Sequence, residues 1–173
     1  MTMKIIQHQE LGSSAASITF SSIPQTYTDL FIVTSLRDTG GTNGWTNAYI
    51  KPNGLTTNLS TRVLYGFSST VGSFSDSFIY HETVGGGSTA NTFSNSSIYI
   101  SNYTAAIAKS ISVDTVTENN SASAIKAIVA GLWNSTDAIT SLTLTAEVGN
   151  FAQYSSATLF GITKGSDGIV TVS

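Results

Sequence analysis

His8 and His81, the carboxylates Asp76, Glu82, Asp114, Glu118, Asp137 and Glu147, and the aromatic residues Trp45, Tyr49 and Tyr65 are the side chains here with chemistry to offer. A histidine beside a carboxylate is the start of general acid–base machinery, but His81 and Glu82 are consecutive. On a strand, consecutive side chains point to opposite faces, so the two cannot act as a pair. A glycosidase needs two carboxyl groups on either side of one bond, and nothing in the spacing of the acids proposes such a couple. Trp45, Tyr49 and Tyr65 flank Gly- and Asn-rich loops, where a sugar ring could stack on an exposed ring face. The competing reading is that they fill the core or the rim of a subunit contact.

Serines are abundant, yet the GxSxG order of a nucleophile elbow is absent. "GGGS" from Gly85 and "GITKGS" from Gly161 lack the order of a phosphate-binding loop and read as turns. Sequons at Asn58, Asn95, Asn102, Asn119 and Asn134 match what chance gives in a chain about 30% Ser plus Thr. No catalytic, cofactor-binding or metal-ligating residue is therefore assigned, and hydrolytic activity is not expected.

The 173 residues suit one domain spanning residues 1–173, long enough for a core without covalent staples. Charged residues make up 10% of the chain, against roughly 25% in an average soluble domain. Seven basic and ten acidic residues leave a net charge of −3, the wrong sign for a phosphate backbone, so nucleic acid is not an expected partner. With no cysteine there is neither a disulfide framework nor a thiolate nucleophile. No export signal is read at the start, and no apolar run is long enough for a membrane-spanning helix, so a soluble product is expected.

Short runs rich in Ile, Val, Thr, Tyr and Phe, punctuated by Gly, Asn, Ser and Asp, are the rhythm of an all-β chain. Strands are expected over 17–20, 29–37, 47–52, 62–67, 77–84, 96–103, 109–117, 124–133, 140–147, 157–163 and 168–173. In 109–117, Ile111, Val113 and Thr115 share one face while Ser110, Ser112 and Asp114 share the other, the pattern of a half-buried strand. Residues 30–33 are apolar on both faces and are expected to be covered on two sides, by a second layer or by a neighbouring subunit. The alanines of 124–133 leave a short helix as the alternative there, although Gly131 and Trp133 suit a strand, with Trp133 buried. Loops are read at 41–44, 53–60 and 85–91, the last as a flexible exposed tip. An antiparallel two-sheet β-sandwich, most simply a jelly roll, buries these faces with the fewest assumptions.

Four phrases then take on meaning together: "ITFSSIPQTYTDLFIVTSLRDT", "IYISNYTAAIAKSISVDT", "AGLWNSTDAITSLTLT" and "GNFAQYSSATLFGITKG". Over about residues 5 to 165 the chain resembles a group of small virion-associated proteins of tailed bacteriophages, in which an "SIPxTYTDL" segment opens the domain and an "ATLFGI" or "ATLYGI" segment closes it. These motifs bring no catalytic residues. The resemblance implies a β-sandwich building block of the particle, a capsid decoration or fibre protein or a tail-fibre component. It would be assembled in the host cytoplasm, in contact with other virion proteins. Self-association is expected, a trimer being the form suggested, because so few edge charges leave an isolated sandwich prone to pair. The alternative is a receptor-recognition module of the phage tail that binds a host surface glycan through Trp45, Tyr49 and Tyr65.

Overall fold

The computed structural model describes residues 2–163, so the strand expected over 168–173 lies outside the described residues. Within them are twelve strands and no helix. They are β1 (Thr2–Glu10), β2 (Ser17–Phe20), β3 (Asp29–Leu36), β4 (Trp45–Pro52), β5 (Leu59–Phe67), β6 (Thr70–Asp76), β7 (Tyr80–Val84), β8 (Ser94–Ile100), β9 (Lys109–Val116), β10 (Ile125–Trp133), β11 (Leu142–Ala146) and β12 (Ser156–Thr163). The helix alternative for 124–133 falls away: Ile125, Ala127, Val129, Gly131 and Trp133 are buried in strict alternation along β10.

All ladders are antiparallel. One sheet runs β1-β12-β3-β8-β9-β10-β5-β6 and the other β2-β11-β4-β7. Setting aside the insertions β5–β6 and β9–β10, the remaining strands divide as β1-β12-β3-β8 over β2-β11-β4-β7. That is the two four-stranded sheets of a jelly roll. The insertions extend only the first sheet, beyond β8.

Strands β1 and β6 have no counterpart in the sequence reading. Both are edge strands with exposed or half-buried residues throughout, so neither alternates strongly enough to announce itself. Strand β1 also carries a bulge between Ile5 and Gln7, which breaks what alternation it has.

The core lies between the sheets. Ile32, Leu36, Ile98, Ile111, Val113, Val129 and Leu159 from the larger sheet meet Ile18, Phe20, Ile50, Leu142 and Leu144 from the smaller. Alternation along β9 follows the expected faces, with Ile111, Val113 and Thr115 buried and Ser110, Ser112 and Asp114 exposed. Part of the interlayer is polar: His81 Nδ1 lies 2.9 Å from Ser96 Oγ, which lies 2.7 Å from Thr115 Oγ1, and Thr115 donates to the Glu82 carbonyl at 2.9 Å. Each hydroxyl finds a partner, so burying it costs little.

One expectation is narrowed and another corrected. Residues 30–33 are not covered on both sides within the chain: Leu30 and Ile32 are buried, Phe31 is half-buried and Val33 is exposed. Their second face is the outer face of the larger sheet. Residues 85–91 are not a free tip either. Arg37 donates to the carbonyls of Gly86, Ser88, Thr89 and Thr92, and Ser88 Oγ donates to the Gly44 carbonyl at 2.5 Å. Buried Asp38 receives the amides of Gly40 and Gly149 at 2.8 and 3.0 Å, fastening the 39–44 and 148–150 loops to the same end.

Candidate functional site

Alternation along β4 puts Thr46, Ala48 and Ile50 inward and leaves Trp45, Asn47 and Tyr49 on the outer face of the smaller sheet. Across the ladder, Asn47 pairs with Glu82 and Tyr49 with Tyr80 of β7. The β5–β6 hairpin and the start of β10 close over this face. Trp45, Asn47, Tyr65, Phe67, Phe74, Glu82 and Ile125 together line a cavity of about 200 Å³.

The walls are aromatic. Trp45 and Phe67 stand 6.3 Å apart at 68°, and Tyr65 and Phe74 5.9 Å apart at 62°, both edge to face. Tyr65 lies so close over Gly72 that a Cβ there would fall 2.6 Å from the far end of the ring, so a larger residue on β6 would push this wall aside. Two buried acceptors in the cavity, Asn47 Oδ1 and Glu82 Oε2, have no hydrogen-bond partner. Burial pushes the Glu82 carboxyl up to about 7, its own backbone amide opposing the shift.

The structure thus brings Trp45 and Tyr65 together and leaves Tyr49 out. The Tyr49 hydroxyl donates to Glu147 Oε1 at 2.7 Å and its ring packs on Phe78 and Tyr80. Burial first, and then Glu147, push its phenol up to about 12. Trp133 is fully buried under Lys109, whose Nζ sits 5.5 Å from the ring centroid. Sequence reasoning did not assign Asn47, Phe67, Phe74 or Glu82 to a site. Glu82 is covered by residues of β5, β6 and β10, which its own strand segment does not announce.

His81 and Glu82 do point to opposite faces: His81 contacts Ser96 between the sheets, while Glu82 lines the outer cavity. Burial lowers the His81 ring to about 4. Among the other acids, Asp114 pairs with Lys126, Glu118 accepts the Asn120 amide and Asp137 the Ser135 hydroxyl. Among the described residues no group of three or more His, Asp or Glu could hold a metal ion. His8 lies on exposed β1 with Nδ1 2.7 Å from Thr158 Oγ1.

The outer face of the larger sheet is the second feature of note. Register aligns Ile5, Phe160, Phe31 and Tyr99 in one row across β1, β12, β3 and β8. Beyond it the row continues through Ser112 and Ala130. A groove of about 380 Å³ follows these small residues, bounded by Tyr99 and Ile128. Ile5, Ile128 and Leu64 are each more than half exposed on this face.

The chain matches no protein-family model, no curated protein and no solved structure.

Proposed function

We propose that the chain is a non-catalytic structural protein of a tailed-bacteriophage particle, a capsid decoration or fibre protein or a tail-fibre component. It works by burying the outer face of its larger sheet against a second copy. The observation that carries this reading is the row Ile5–Phe160–Phe31–Tyr99 lying beside a groove floored by Ser and Ala. Large apolar side chains beside a trench of small ones form a self-complementary surface, in which each copy seats its row in the groove of the other. A reciprocal contact of this kind builds pairs. A trimer would need the open sheet edges β1 and β6 instead.

Further support comes from where the resembling segments lie. A Cβ on Gly161, in "ATLFGI", would fall 2.3 Å from the Tyr27 ring of "SIPQTYTDL", and the Thr28 amide donates to the Ile162 carbonyl at 2.8 Å. The Tyr103 hydroxyl of "IYISNY" donates to the Pro24 carbonyl, and the Ile139 amide to the Tyr103 carbonyl at 2.9 Å. The motifs hold one another, as suits residues that specify a building block. Jelly rolls recur in viral capsids and in lectins, a likeness of fold alone.

The second reading, a carbohydrate-binding module of the tail, is favoured by one observation: Trp45 and Tyr65 line a common cavity. Sedimentation velocity of the purified chain, alone and with empty phage particles, tests the assembly reading. Self-association abolished by Phe31→Ser, together with cosedimentation, is expected; a stable monomer that never travels with particles would defeat it.

A further inference from the structure

The cavity between β4–β7 and the β5–β6 hairpin contains more than packing requires. A hydrophobic seam would hold no carboxylate, yet Glu82 is 2% exposed, lines the cavity, and leaves Oε2 without a partner. The other orphaned atom among the residues lining the cavity, Asn47 Oδ1, is also an acceptor, and no Lys, Arg or His is among them. What is missing is therefore a donor or a cation. The surrounding rings limit its shape: two edge-to-face pairs, at 68° and 62°, set up walls at steep angles. A sugar ring stacks on one flat, open aromatic face. A compact cation is instead held by several ring faces at once. The volume, about 200 Å³, is below the roughly 300 Å³ at which pockets for drug-sized ligands begin, so only a small group enters.

We propose that this cavity binds an organic ammonium group, a methylated or primary amine at the end of a larger molecule, with Trp45, Tyr65, Phe67 and Phe74 around the cation and Glu82 as its counter-charge. This is independent of the assembly role. Cation–π attraction and the carboxylate act together, and both strengthen where water is excluded. Only ionised Glu82 supplies the charge, and burial holds its carboxyl near 7, so affinity rises with pH through neutrality. The groups around it leave that dependence to Glu82. Tyr80 on its own strand is raised further by burial and by Asp76, Glu82 and Glu147, and so stays neutral. Of the other residues lining the cavity, Asn47 comes from β4, Tyr65 and Phe74 from the hairpin and Ile125 from β10, and none is a carboxylate, Lys, Arg or His. His81 faces the other way and is neutral well above 4.

The test uses the full chain and follows the Trp45 indole N–H by NMR, with fully buried Trp133 as internal reference. Choline chloride and methylammonium chloride are titrated against sodium chloride and methyl α-glucoside at pH 8 and pH 5.5. Saturable shifts of Trp45 alone are expected with the ammonium salts. Binding should be roughly thirtyfold weaker at pH 5.5, one and a half units below the Glu82 midpoint, and lost in Glu82→Gln. Phe74→Ala, at the half-open rim, should weaken binding about tenfold in a folded chain. The proposal fails if neither ammonium salt shifts Trp45 beyond the sodium control, or if Glu82→Gln binds as tightly as the parent. It fails equally if the neutral glycoside binds better than choline, which would make the cavity a sugar site. None of these outcomes bears on self-association, so the two readings fail separately.

Discussion

His81 and Glu82, neighbours on β7, are both buried, one against Ser96 between the sheets and the other in the outer cavity, and burial drives both toward their neutral forms. Their contributions to stability run in opposite directions. The His81 ring is lowered from 6.5 to about 4, so the unfolded chain binds the extra proton between these values and stability falls as pH falls through that window. The Glu82 carboxyl is raised from 4.5 to about 7, so the folded chain holds the extra proton and stability falls as pH rises through that window. Where the windows overlap, from 4.5 to 6.5, the two slopes cancel. Denaturation of the parent chain should give a stability that is nearly flat there. Glu82→Gln should expose the histidine slope, losing on the order of 3 kcal/mol from pH 6.5 to 4. A flat profile in that variant would mean that His81 is not held neutral.

Adjacent residues of β3 should respond differently to substitution. Ile32 is fully buried, and Ile32→Ala should cost about 2–5 kcal/mol through lost burial and a cavity. Phe31 faces outward with its ring 6.3 Å from Phe160, so Phe31→Ser should cost only about 1 kcal/mol in the isolated chain. Equilibrium unfolding at low protein concentration checks both. Similar losses would place Phe31 in the core.

The faces of β9 were legible because a strand with one wet side alternates, as Ile111, Val113 and Thr115 do against Ser110, Ser112 and Asp114. The jelly-roll order was not legible, since pairing β12 between β1 and β3 depends on contacts more than a hundred residues apart. Of the three aromatic residues expected to act together, Trp45 and Tyr49 share a face of β4. They are four residues apart, about 13 Å along a strand, beyond the reach of one small ligand. Trp45 meets Tyr65 only because the β5–β6 hairpin folds over that face, which no local pattern announces. Glu82 was hidden for the same reason: its burial comes from other strands.

The loop end of the sandwich should be stiff. Ser88 Oγ donates to the Gly44 carbonyl and accepts from Asn119 Nδ2 at 3.2 Å, so Ser88→Ala should cost about 1 kcal/mol. Arg37→Ala removes donors from four carbonyls and should cost about 2–3 kcal/mol. Limited proteolysis gives the sharper readout. Cleavage within 85–92 should be slow in the parent and fast in Arg37→Ala; equal rates would show that the guanidinium does not fasten the loop.

The contact between Tyr27 and Gly161 makes the most specific demand on the sequence. Gly161 does not have a left-handed backbone conformation, so alanine is permitted there by torsion and refused only by space. Its Cβ would fall 2.3 Å from Tyr27 Cγ, and the ring cannot simply swing away, because the Thr28 amide is tied to the Ile162 carbonyl at 2.8 Å. Overpacking of this kind costs about 1–3 kcal/mol, which Gly161→Ala should show as a lowered denaturant midpoint with an unchanged slope. If the clash is the cause, removing the ring relieves it. Gly161→Ala should therefore cost much less in a Tyr27→Ala background than in the parent, a coupling between touching residues that a double-mutant cycle measures. An equal cost in both backgrounds would place the requirement for glycine elsewhere and break the physical link between the opening and closing segments of the domain.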